Sequence, residues 1–366
     1  MPPLSLLIKP ASGSCNMRCR YCFYIDETQN RTDSCAGRMN DKVMRSLIDK
    51  ALTYAQGDCT FAFQGGEPTL VGVEFYHCFA AYADSHPRAK DVRVHYSIQT
   101  NGYNLNEDWA KWFAQRKVLV GISLDGPKEI HDRYRVDYAG NGSWDKIVPK
   151  FQRFVEKRCG KNYYMRGTFT HANPDFLKDI QTMLDLGFNE LSMEPVVCEA
   201  GDPSELTEAD FPIVCKQYEE LAKLMLKRDK EGRPFTFYHY MIDLTGGPCI
   251  YKRISGCGSG TEYMAVTPWG DLYPCHQFVG DEKFKLGDIW HGVTNTEIQG
   301  EFAACNVYAH PECRDCWARL YCSGGCAANA YHATGKVTGI YEYGCRLFKK
   351  RMECAIMVAV DRALGE

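Results

Sequence analysis

The sequence predicts an α/β fold in which a parallel sheet is followed by a second, cysteine-rich domain. Two observations lead to this prediction: strand and helix patterns alternate over residues 1–200, and after Gly246 the chain has short segments rich in Gly and Cys. Parallel strands need crossover helices, so the alternation indicates repeated βαβ units. We expect the sheet to curve into a partial (βα)6 barrel, with domains at residues 1–235 and 236–366. In such barrels functional side chains gather at the C-terminal ends of the strands.

The predicted strands are short apolar runs bounded by turn residues. They cover Leu4–Lys9, Thr60–Gln64, Val92–Ile98, Val118–Leu124, Tyr163–Thr170 and Glu190–Val196. Apolar residues at helical spacing predict the intervening helices. These are Asp41–Gln56 behind an Asn40 cap, Glu107–Gln115, Trp144–Arg158 and Pro174–Leu186. A loop at Pro203–Asp210 and a helix at Phe211–Arg228 complete the first domain, and a C-terminal helix ends the second.

Composition narrows the class of protein. The 366 residues are 45% hydrophobic and 24% charged, which is typical of globular domains. The formal net charge of -3 gives no reason to expect nucleic acid as a partner, because binding to phosphates needs a basic surplus. No apolar run approaches the roughly 20 residues that span a bilayer, and the start of the chain does not resemble a signal peptide. We therefore expect a cytoplasmic protein with no membrane partner.

The chain contains 19 cysteines, which a reducing cytoplasm would keep as free thiols. They are concentrated in two regions, Cys15 to Cys22 and Cys257 to Cys345. This clustering predicts metal ligation. Seven cysteines without ligand spacing are predicted to be small buried hydrophobic residues: Cys35, Cys59, Cys78, Cys159, Cys198, Cys215 and Cys354.

The first cluster has the spacing C-x3-C-x2-C, formed by Cys15, Cys19 and Cys22 directly after a predicted strand. Three thiolates on one loop can hold three irons of a cubane and leave the fourth iron without a protein ligand. An open iron can bind a small chelating cofactor. The alternative is a zinc loop, although structural zinc usually has four protein ligands.

With the aromatic residues Tyr21, Phe23 and Tyr24, this loop resembles the signature of radical S-adenosylmethionine enzymes. The resemblance implies that the open iron of a 4Fe-4S cluster takes the amino and carboxylate groups of the cofactor's methionine moiety. Tyr24 would then lie near the adenine. Reductive cleavage of the cofactor would yield methionine and a 5'-deoxyadenosyl radical.

Further residues that the resemblance assigns to S-adenosylmethionine follow other strands. Gly65 to Pro68 resembles the family's GGEP motif, where close backbone approach and the Glu67 carboxylate would hold the methionine ammonium. A simple β-turn is the alternative for this segment. For the residues that follow the later strands, a role in capping the loops is the alternative. By the resemblance, Ser123 and Asp125 would face the ribose and Arg135 would pair with the methionine carboxylate. The remaining residues of the set are Gln64, Gly65, Gly66, Glu67, Pro68, Thr100 and Asn101.

The second cysteine region resembles the SPASM domain, whose spacing holds two auxiliary 4Fe-4S clusters. The resemblance implies that the first auxiliary cluster is held by Cys257, Cys275 and Cys326, and the second by Cys313, Cys316, Cys322 and Cys345. For the fourth ligand of the first cluster, Cys249 is one candidate, Cys305 is another, and an iron open to substrate is the third. A zinc ribbon is the structural alternative, since C-x2-C occurs in both kinds of site.

Two groups of relatives match different parts of the chain. Leu6–Gly13 and Phe61–Thr69 resemble anaerobic sulfatase-maturating enzymes, which oxidise Cys or Ser to formylglycine. Later segments resemble maturases of small six-cysteine peptides, called SCIFF maturases, which form thioether crosslinks: Tyr164–Phe169, Met241–Cys249, Gly256–Glu262 and Tyr273–Phe278. We place thioether formation in a ribosomally made Cys-rich peptide first and formylglycine formation second. An iron-sulfur electron-transfer protein is the alternative of another class.

His276 separates the two hypotheses. In sulfatase-maturating enzymes the residue after the cysteine that corresponds to Cys275 is an Asp, which is thought to accept a substrate proton. In this sequence that residue is His276. A His can also act as a base at neutral pH, so it is the candidate catalytic residue, with a purely packing role as the alternative. The expected partners are a Cys-containing peptide or protein and an electron donor such as flavodoxin or ferredoxin. Crosslinking maturases commonly carry a leader-recognition domain before the cysteine loop, whereas this sequence reaches Cys15 almost at once. We expect recognition by another chain, recognition by the second domain, or a sequence that joins two relatives.

Overall fold

A computed structural model describes residues 4–22, 37–198, 201–244, 246 and 250–365. Two predicted site residues, Tyr24 and Cys249, lie outside the described residues. The chain divides into two compact units. The first unit comprises Met1–Ile122, Arg135–Asn162 and Cys257–Ala303, and the second comprises Ser123–Tyr134, Tyr163–Gly256 and Ala304–Glu366. The domain boundary predicted between residues 235 and 236 stays a prediction.

The described strands are β1 Leu4–Ile8, β2 Asp58–Phe63, β3 Arg93–Thr100, β4 Leu119–Ser123, β5 Tyr163–Phe169, β6 Glu190–Pro195, β7 Thr236–Phe237, β8 Tyr263–Val266, β9 Asp271–Tyr273, β10 Gly287–Asp288 and β11 Gly292–Val293. The α-helices are α1 Asp41–Tyr54, α2 Val73–Ser85, α3 Glu107–Gln115, α4 Lys128–Tyr134, α5 Trp144–Lys157, α6 Leu177–Asp185, α7 Phe211–Lys230, α8 Ile250–Ser255, α9 Thr296–Ala304, α10 Arg319–Cys322, α11 Ala327–Thr334 and α12 Glu342–Leu364. The predicted α/β alternation is confirmed, and each predicted element has a counterpart that differs only at its ends.

In the first unit the strands follow the order β11-β10-β9-β8-β1-β2-β3-β4. β1 pairs in parallel with β2 on one side and with β8 on the other. β2 pairs in parallel with β3, and β3 with β4. The pairs β8–β9, β9–β10 and β10–β11 are antiparallel, as expected for strands joined by short turns. Strand β8 therefore extends the sheet beside β1, a pairing between segments more than 250 residues apart that local sequence patterns did not predict.

Helix α2 is also absent from the sequence-based prediction. Its N-cap is Gly72, which makes no side-chain hydrogen bond, so the usual capping signal is missing. Packing stabilises the helix instead: Tyr76 and Phe79 are fully buried, and their rings make edge contacts with Phe63 at 4.8 and 5.2 Å. Helix α1, by contrast, begins as predicted, because the Asn40 side chain accepts a hydrogen bond from the Val43 amide at 3.0 Å.

In the second unit β5, β6 and β7 pair in parallel. The predicted C-terminal helix is α12, which packs along α7. Ion pairs accompany this packing at Lys350–Glu219, Arg346–Glu208 and Arg362–Asp229. None of the helices in the described residues is long and apolar enough to cross a membrane.

Candidate functional site

The cysteine loop of the first unit follows β1 directly. The Cys15 sulfur accepts hydrogen bonds from the Met17 amide at 3.4 Å and from the Asn101 side-chain amide at 3.6 Å. The Cys22 amide donates to the Cys19 carbonyl at 3.1 Å, which forms the turn between the last two cysteines. N–H donors directed at sulfur are the kind of contact that iron-sulfur clusters receive from their proteins.

Electrostatics favour a positively charged partner for this loop. Burial, together with the charges of Glu67, Cys19 and Cys22, raises the pKa of the Cys15 thiol to about 12. Thiols crowded together beside a carboxylate are poorly suited to stand as thiolates without a metal, whereas metal coordination deprotonates a thiol outright. Among the described residues, no three His, Cys, Asp or Glu side chains are arranged to hold a single metal ion. The donor set of Cys15, Cys19 and Cys22 fits a cubane, in which each thiolate binds a different iron.

Glu67 has a structural role that sequence analysis did not foresee. Its side chain is fully buried, and one carboxylate oxygen accepts hydrogen bonds from the Thr69 amide, the Thr69 hydroxyl and the Thr100 hydroxyl at 3.0, 2.6 and 2.8 Å. The other oxygen accepts from the Asn101 amide at 2.8 Å. The pKa of Glu67 is raised overall, because the effect of burial outweighs that of these hydrogen-bond donors, which lower the pKa. The carboxylate thus ties the turn after β2 to the end of β3, while its predicted contact with the methionine ammonium stays a prediction.

The two glycines of this turn are required by close backbone approach. The Gly66 amide donates to the Ser12 carbonyl at 3.1 Å, and the Glu67 amide to the Ser14 carbonyl at 2.7 Å. A Cβ on Gly66 would lie 2.1 Å from the Ser14 carbonyl oxygen. Gly65 has a φ of 137°, a conformation that favours glycine. The turn is therefore fixed against the segment that leads into Cys15.

Asn16 and Asn104 form a hydrogen-bonded chain with Asn101 beside Cys15, and the sequence analysis missed both of them. The Asn101 side-chain amide donates to the Asn16 side-chain oxygen at 2.8 Å. Asn16 in turn donates to the side-chain oxygen of Asn104 at 3.2 Å. Their positions inside the cysteine loop and just after the strand-end motif containing Thr100 were the available signal.

Arg135 lies in the first unit and is 8% exposed. Its guanidinium group lies 5.5 Å from the centre of the Tyr21 ring, next to Cys22 in the sequence. The carbonyl of the neighbouring Val136 accepts a hydrogen bond from the Arg18 amide at 2.7 Å. The structure thus places Arg135 at the cysteine loop, and its pairing with a carboxylate stays a prediction. Gln64 is half-buried at the end of β2, and its amide donates to the Ile8 carbonyl at 3.0 Å.

Ser123 and Asp125 belong to the second unit. Asp125 is fully buried, and its carboxylate accepts a hydrogen bond from the Thr168 amide at 3.0 Å. The Asp125 amide lies 3.3 Å from His131 Nδ1. These contacts anchor the loop after β4 to β5 and α4, and the predicted contact of Ser123 and Asp125 with a ribose stays a prediction.

The predicted ligands of the first auxiliary cluster are divided between the units. Cys257 and Cys275 lie in the first unit and Cys326 in the second. His276 begins a 3-10 turn, His276–Phe278, immediately after Cys275. This turn is anchored by Phe278, whose buried ring lies 4.4 Å from that of Phe284. Cys305, the less favoured fourth ligand, donates its thiol to the Val337 carbonyl at 3.2 Å.

The predicted ligands of the second auxiliary cluster all lie in the second unit and interact with one another. Burial, together with the thiols of Cys345, Cys313 and Cys316, raises the pKa of Cys322 to about 11. The pKa of Cys313 is raised by burial and by Cys345 and Cys316. Four partly buried thiols that oppose one another's ionisation fit a metal cluster, which would take the place of their protons.

The other described cysteines follow the burial prediction only in part. Cys59 and Cys354 are buried as predicted. Cys78 and Cys159 are exposed, so the prediction was wrong for them. Cys159 has a φ of 50° in the turn that follows α5, a position at the surface, and Cys78 lies on the outer face of α2.

Comparisons with known proteins identify the superfamily. The Radical SAM superfamily profile matches residues 10–186. The chain is 36% identical over 345 residues to the cysteine-type anaerobic sulfatase-maturating enzyme of Clostridium novyi (strain NT), a match that covers 90% of this chain and 89% of that protein. The solved structure of native anSMEcpe with bound AdoMet and Kp18Cys peptide matches with a TM-score of 0.81, 28% identity and 100% coverage of both chains.

A more distant structure shares the fold. Streptococcus suis SuiB bound to precursor peptide SuiA matches with a TM-score of 0.63 and 16% identity, over 92% of this chain and 74% of SuiB. At this identity the likeness concerns the fold alone. The much higher identity to the Clostridium novyi enzyme, over nearly its full length, carries the assignment. The chain therefore belongs to the radical SAM superfamily and, within it, to the anaerobic sulfatase-maturating enzymes, which makes it an enzyme that acts on a peptide or protein.

Proposed function

We propose that this enzyme oxidises a cysteine side chain of a sulfatase to formylglycine. The observation that carries the proposal is the 36% identity to a cysteine-type sulfatase-maturating enzyme across 89% of that protein. The second supporting observation is the match to native anSMEcpe with bound AdoMet and Kp18Cys peptide. Sequence patterns put thioether formation first, but the identity over nearly the full length of a sulfatase-maturating enzyme favours formylglycine formation.

S-adenosylmethionine and a 4Fe-4S cluster are the proposed cofactors of the first unit. When bound, they supply a 5'-deoxyadenosyl radical that removes hydrogen from a substrate carbon. Cys15, Cys19 and Cys22 would hold the cluster, and Arg135 at the cysteine loop would pair with the methionine carboxylate. The hydrogen bonds of Glu67 keep the neighbouring turn in place and leave one carboxylate oxygen with a single protein donor, which suits it to receive an ammonium. Two auxiliary clusters, held by the later cysteines, are part of the proposal.

The proposed conversion has a defined balance. A cysteine side chain and one water become an aldehyde and hydrogen sulfide, and the β-carbon gives up two electrons and two protons. One hydrogen leaves as an atom to the deoxyadenosyl group, while the remaining proton needs a base and the remaining electron an acceptor. His276 is the proposed proton acceptor, because it occupies the position after Cys275 where relatives have an Asp, on a turn fixed by buried Phe278.

Mass spectrometry of peptides tests the reaction. Reconstituted protein would be incubated anaerobically with S-adenosylmethionine, dithionite and either a Cys-containing sulfatase peptide or a Cys-rich precursor peptide. We expect an aldehyde on the sulfatase peptide that hydrazine traps, together with release of sulfide. Loss of two hydrogens and of one alkylatable thiol from the precursor, with no aldehyde on the sulfatase peptide, would establish thioether formation instead.

Substitution of His276 tests its role in the same assay. We expect His276→Ala to reduce aldehyde formation by roughly 100-fold or more, which is the usual contribution of a general base. His276→Asp should restore much of the activity, because it returns the residue of the relatives. His291→Ala is the matched control, since His291 is an exposed histidine of the same unit. If His276→Ala retains full aldehyde formation, His276 is not the base.

Two finer predictions accompany the proposed function. The electron donor is proposed to be a flavodoxin or a ferredoxin, because these proteins carry single electrons at low potential. A cytoplasmic location stays a prediction from the sequence.

A further inference from the structure

His310 is a buried histidine of the second unit with an unusual environment. It is 1% exposed, and within the described part of the chain neither ring nitrogen has a hydrogen-bond partner. A neutral imidazole carries one N–H donor and one acceptor nitrogen. Buried polar groups of this kind are almost always paired, and an unpaired one calls for a partner such as an ordered water or an ion.

The surroundings of His310 are two turns that carry cysteines. Its carbonyl accepts a hydrogen bond from the Cys313 amide at 3.0 Å, so it begins the Cys313–Cys316 turn. Its ring carbon Cδ2 lies 3.5 Å from the position that a Cβ on Gly324 would occupy. Cδ2 is bonded to Nε2, so this nitrogen lies at the ring edge that meets the segment between Cys322 and Cys326.

Gly324 allows this close approach. Gly324 has a φ of 87°, and a Cβ added to it would lie only 3.2 Å from backbone atoms of Asn306 and Val307. The Val307 amide is itself fixed by a hydrogen bond to the Ile254 carbonyl at 3.2 Å. The imidazole thus lies against the Cys322–Cys326 segment at Gly324, in the same unit as the four mutually interacting thiols.

We propose that the His310 imidazole donates an N–H hydrogen bond to a sulfur of the auxiliary cluster held by Cys313, Cys316, Cys322 and Cys345, and so raises the reduction potential of that cluster. This inference rests on the proposed auxiliary cluster, not on the identity of the peptide product. Four cysteines already satisfy the four irons of a cubane, so the imidazole is a donor and not a ligand. A donor to sulfur stabilises the reduced cluster, which carries the greater negative charge.

Two variants separate hydrogen bonding from packing. His310→Leu fills the space without a donor, and His310→Gln keeps an N–H group. Both would be made in the full chain with Cys15, Cys19 and Cys22 replaced by Ala, so that only auxiliary clusters contribute signals. EPR-monitored redox titration should show a more negative midpoint potential for one auxiliary cluster in His310→Leu, and a smaller shift in His310→Gln, with iron and sulfide content unchanged in both.

A second measurement detects the hydrogen bond directly. In protein labelled with 15N-histidine, pulsed EPR of the reduced auxiliary clusters should detect a weak 15N coupling of a hydrogen-bonded histidine, and His310→Leu should lack it. Unchanged midpoint potentials, absence of the coupling, a strong coupling typical of a direct iron ligand, or loss of a cluster from both variants would each overturn the proposal.

Failure of the inference is distinguishable from failure of the proposed function. Potentials and couplings are measured on the clusters whether or not a peptide is converted. If formylglycine does not form but His310→Leu shifts one potential, the inference holds and the proposed reaction does not. If the wild-type chain binds no auxiliary cluster through Cys313 and its partners, the inference fails together with that part of the proposal.

Discussion

At the scale of single residues, the second unit contains a buried chain of hydrogen-bonded polar side chains that no sequence motif indicated. Asp179 on α6 is fully buried in the second unit, and its carboxylate accepts one hydrogen bond from the Asn173 side chain at 3.1 Å. Asn173 accepts from the Thr170 hydroxyl at 2.8 Å, and that hydroxyl pairs with Tyr134 at 2.9 Å. This buried polar chain lies behind the loop of Asp125, because a Cβ on Gly126 would come within 2.6 Å of the Asp179 side chain.

The protonation of Asp179 predicts a dependence of stability on pH. Burial raises the pKa of Asp179 from 3.8 to about 7. The folded state therefore keeps a proton that the unfolded state loses, so the free energy of unfolding falls as the pH rises through this window, by up to roughly 4 kcal/mol. Asp179→Asn removes the titrating group, and we expect its stability to change less than that of the wild type between about pH 5 and about pH 7.5.

Urea unfolding at the two pH values checks this expectation. Asp175→Asn is the matched control, because Asp175 precedes the same helix, is half exposed and pairs with Lys178 at 2.9 Å. The control should retain the wild-type dependence. Equal pH dependence in Asp179→Asn and wild type would show that Asp179 titrates normally in the folded chain.

At the scale of elements, the turn after β2 and the segment after β1 act as one structure. Two backbone hydrogen bonds join Gly66 and Glu67 to Ser12 and Ser14, and the Glu67 carboxylate extends the connection to the end of β3. The parallel pairing of β1, β2 and β3 brings these strand ends to one edge of the sheet. The geometry of the cysteine loop therefore depends on a turn about 50 residues away, as expected where loops converge at strand ends.

Gly66→Ala tests this dependence. The added Cβ would lie 2.1 Å from the Ser14 carbonyl oxygen, so the two backbone segments must separate. We expect a loss of stability of about 1–3 kcal/mol from the broken hydrogen bonds and a reduced iron content at the Cys15 loop. Iron analysis after anaerobic reconstitution and thermal unfolding provide the two measurements.

Gly300→Ala is the control for this substitution. Gly300 lies inside helix α9 with nothing within 4 Å of its Cβ position, so alanine should stabilise the helix by up to about 1 kcal/mol and leave iron content unchanged. Normal iron content and stability in Gly66→Ala would mean that the turn and the cysteine loop are independent.

At the scale of the whole molecule, helix α12 brings a distant cysteine to the second-unit thiols. Cys345 lies in the first turn of α12, and its pKa is raised by burial and by Cys316. The helix is fixed along α7 by ion pairs such as Lys350–Glu219. We expect Cys345→Ser to lower the iron content by about four atoms per chain, the size of one cubane.

Cys354→Ser serves as the comparison for Cys345→Ser. Cys354 lies on the same helix and is 4% exposed, and sequence spacing gives it no role as a ligand. Its replacement should leave iron and sulfide at the wild-type level. Identical metal content in Cys345→Ser and Cys354→Ser would remove Cys345 from the proposed ligand set.

Local patterns predicted those features whose cause is itself local. Helices α1, α3 and α5 were predicted from apolar spacing and, for α1, from the Asn40 cap. The loop of Cys15, Cys19 and Cys22 was recognised because its ligands lie within eight residues of one another. Helix α2 was missed because packing against Phe63, and not a cap, determines it.

The sequence by itself determined the α/β class, the cysteine loop and the superfamily, because strand and helix periods and ligand spacing are properties of neighbouring residues. Only the tertiary structure decided that Glu67 is a buried, hydrogen-bonded connection between strand ends, that β8 extends the sheet beside β1, and that His310 is buried among the cysteine turns. These features depend on contacts between residues far apart in the chain. Burial and hydrogen-bond partners follow from the packing of the whole molecule, and no local pattern encodes them.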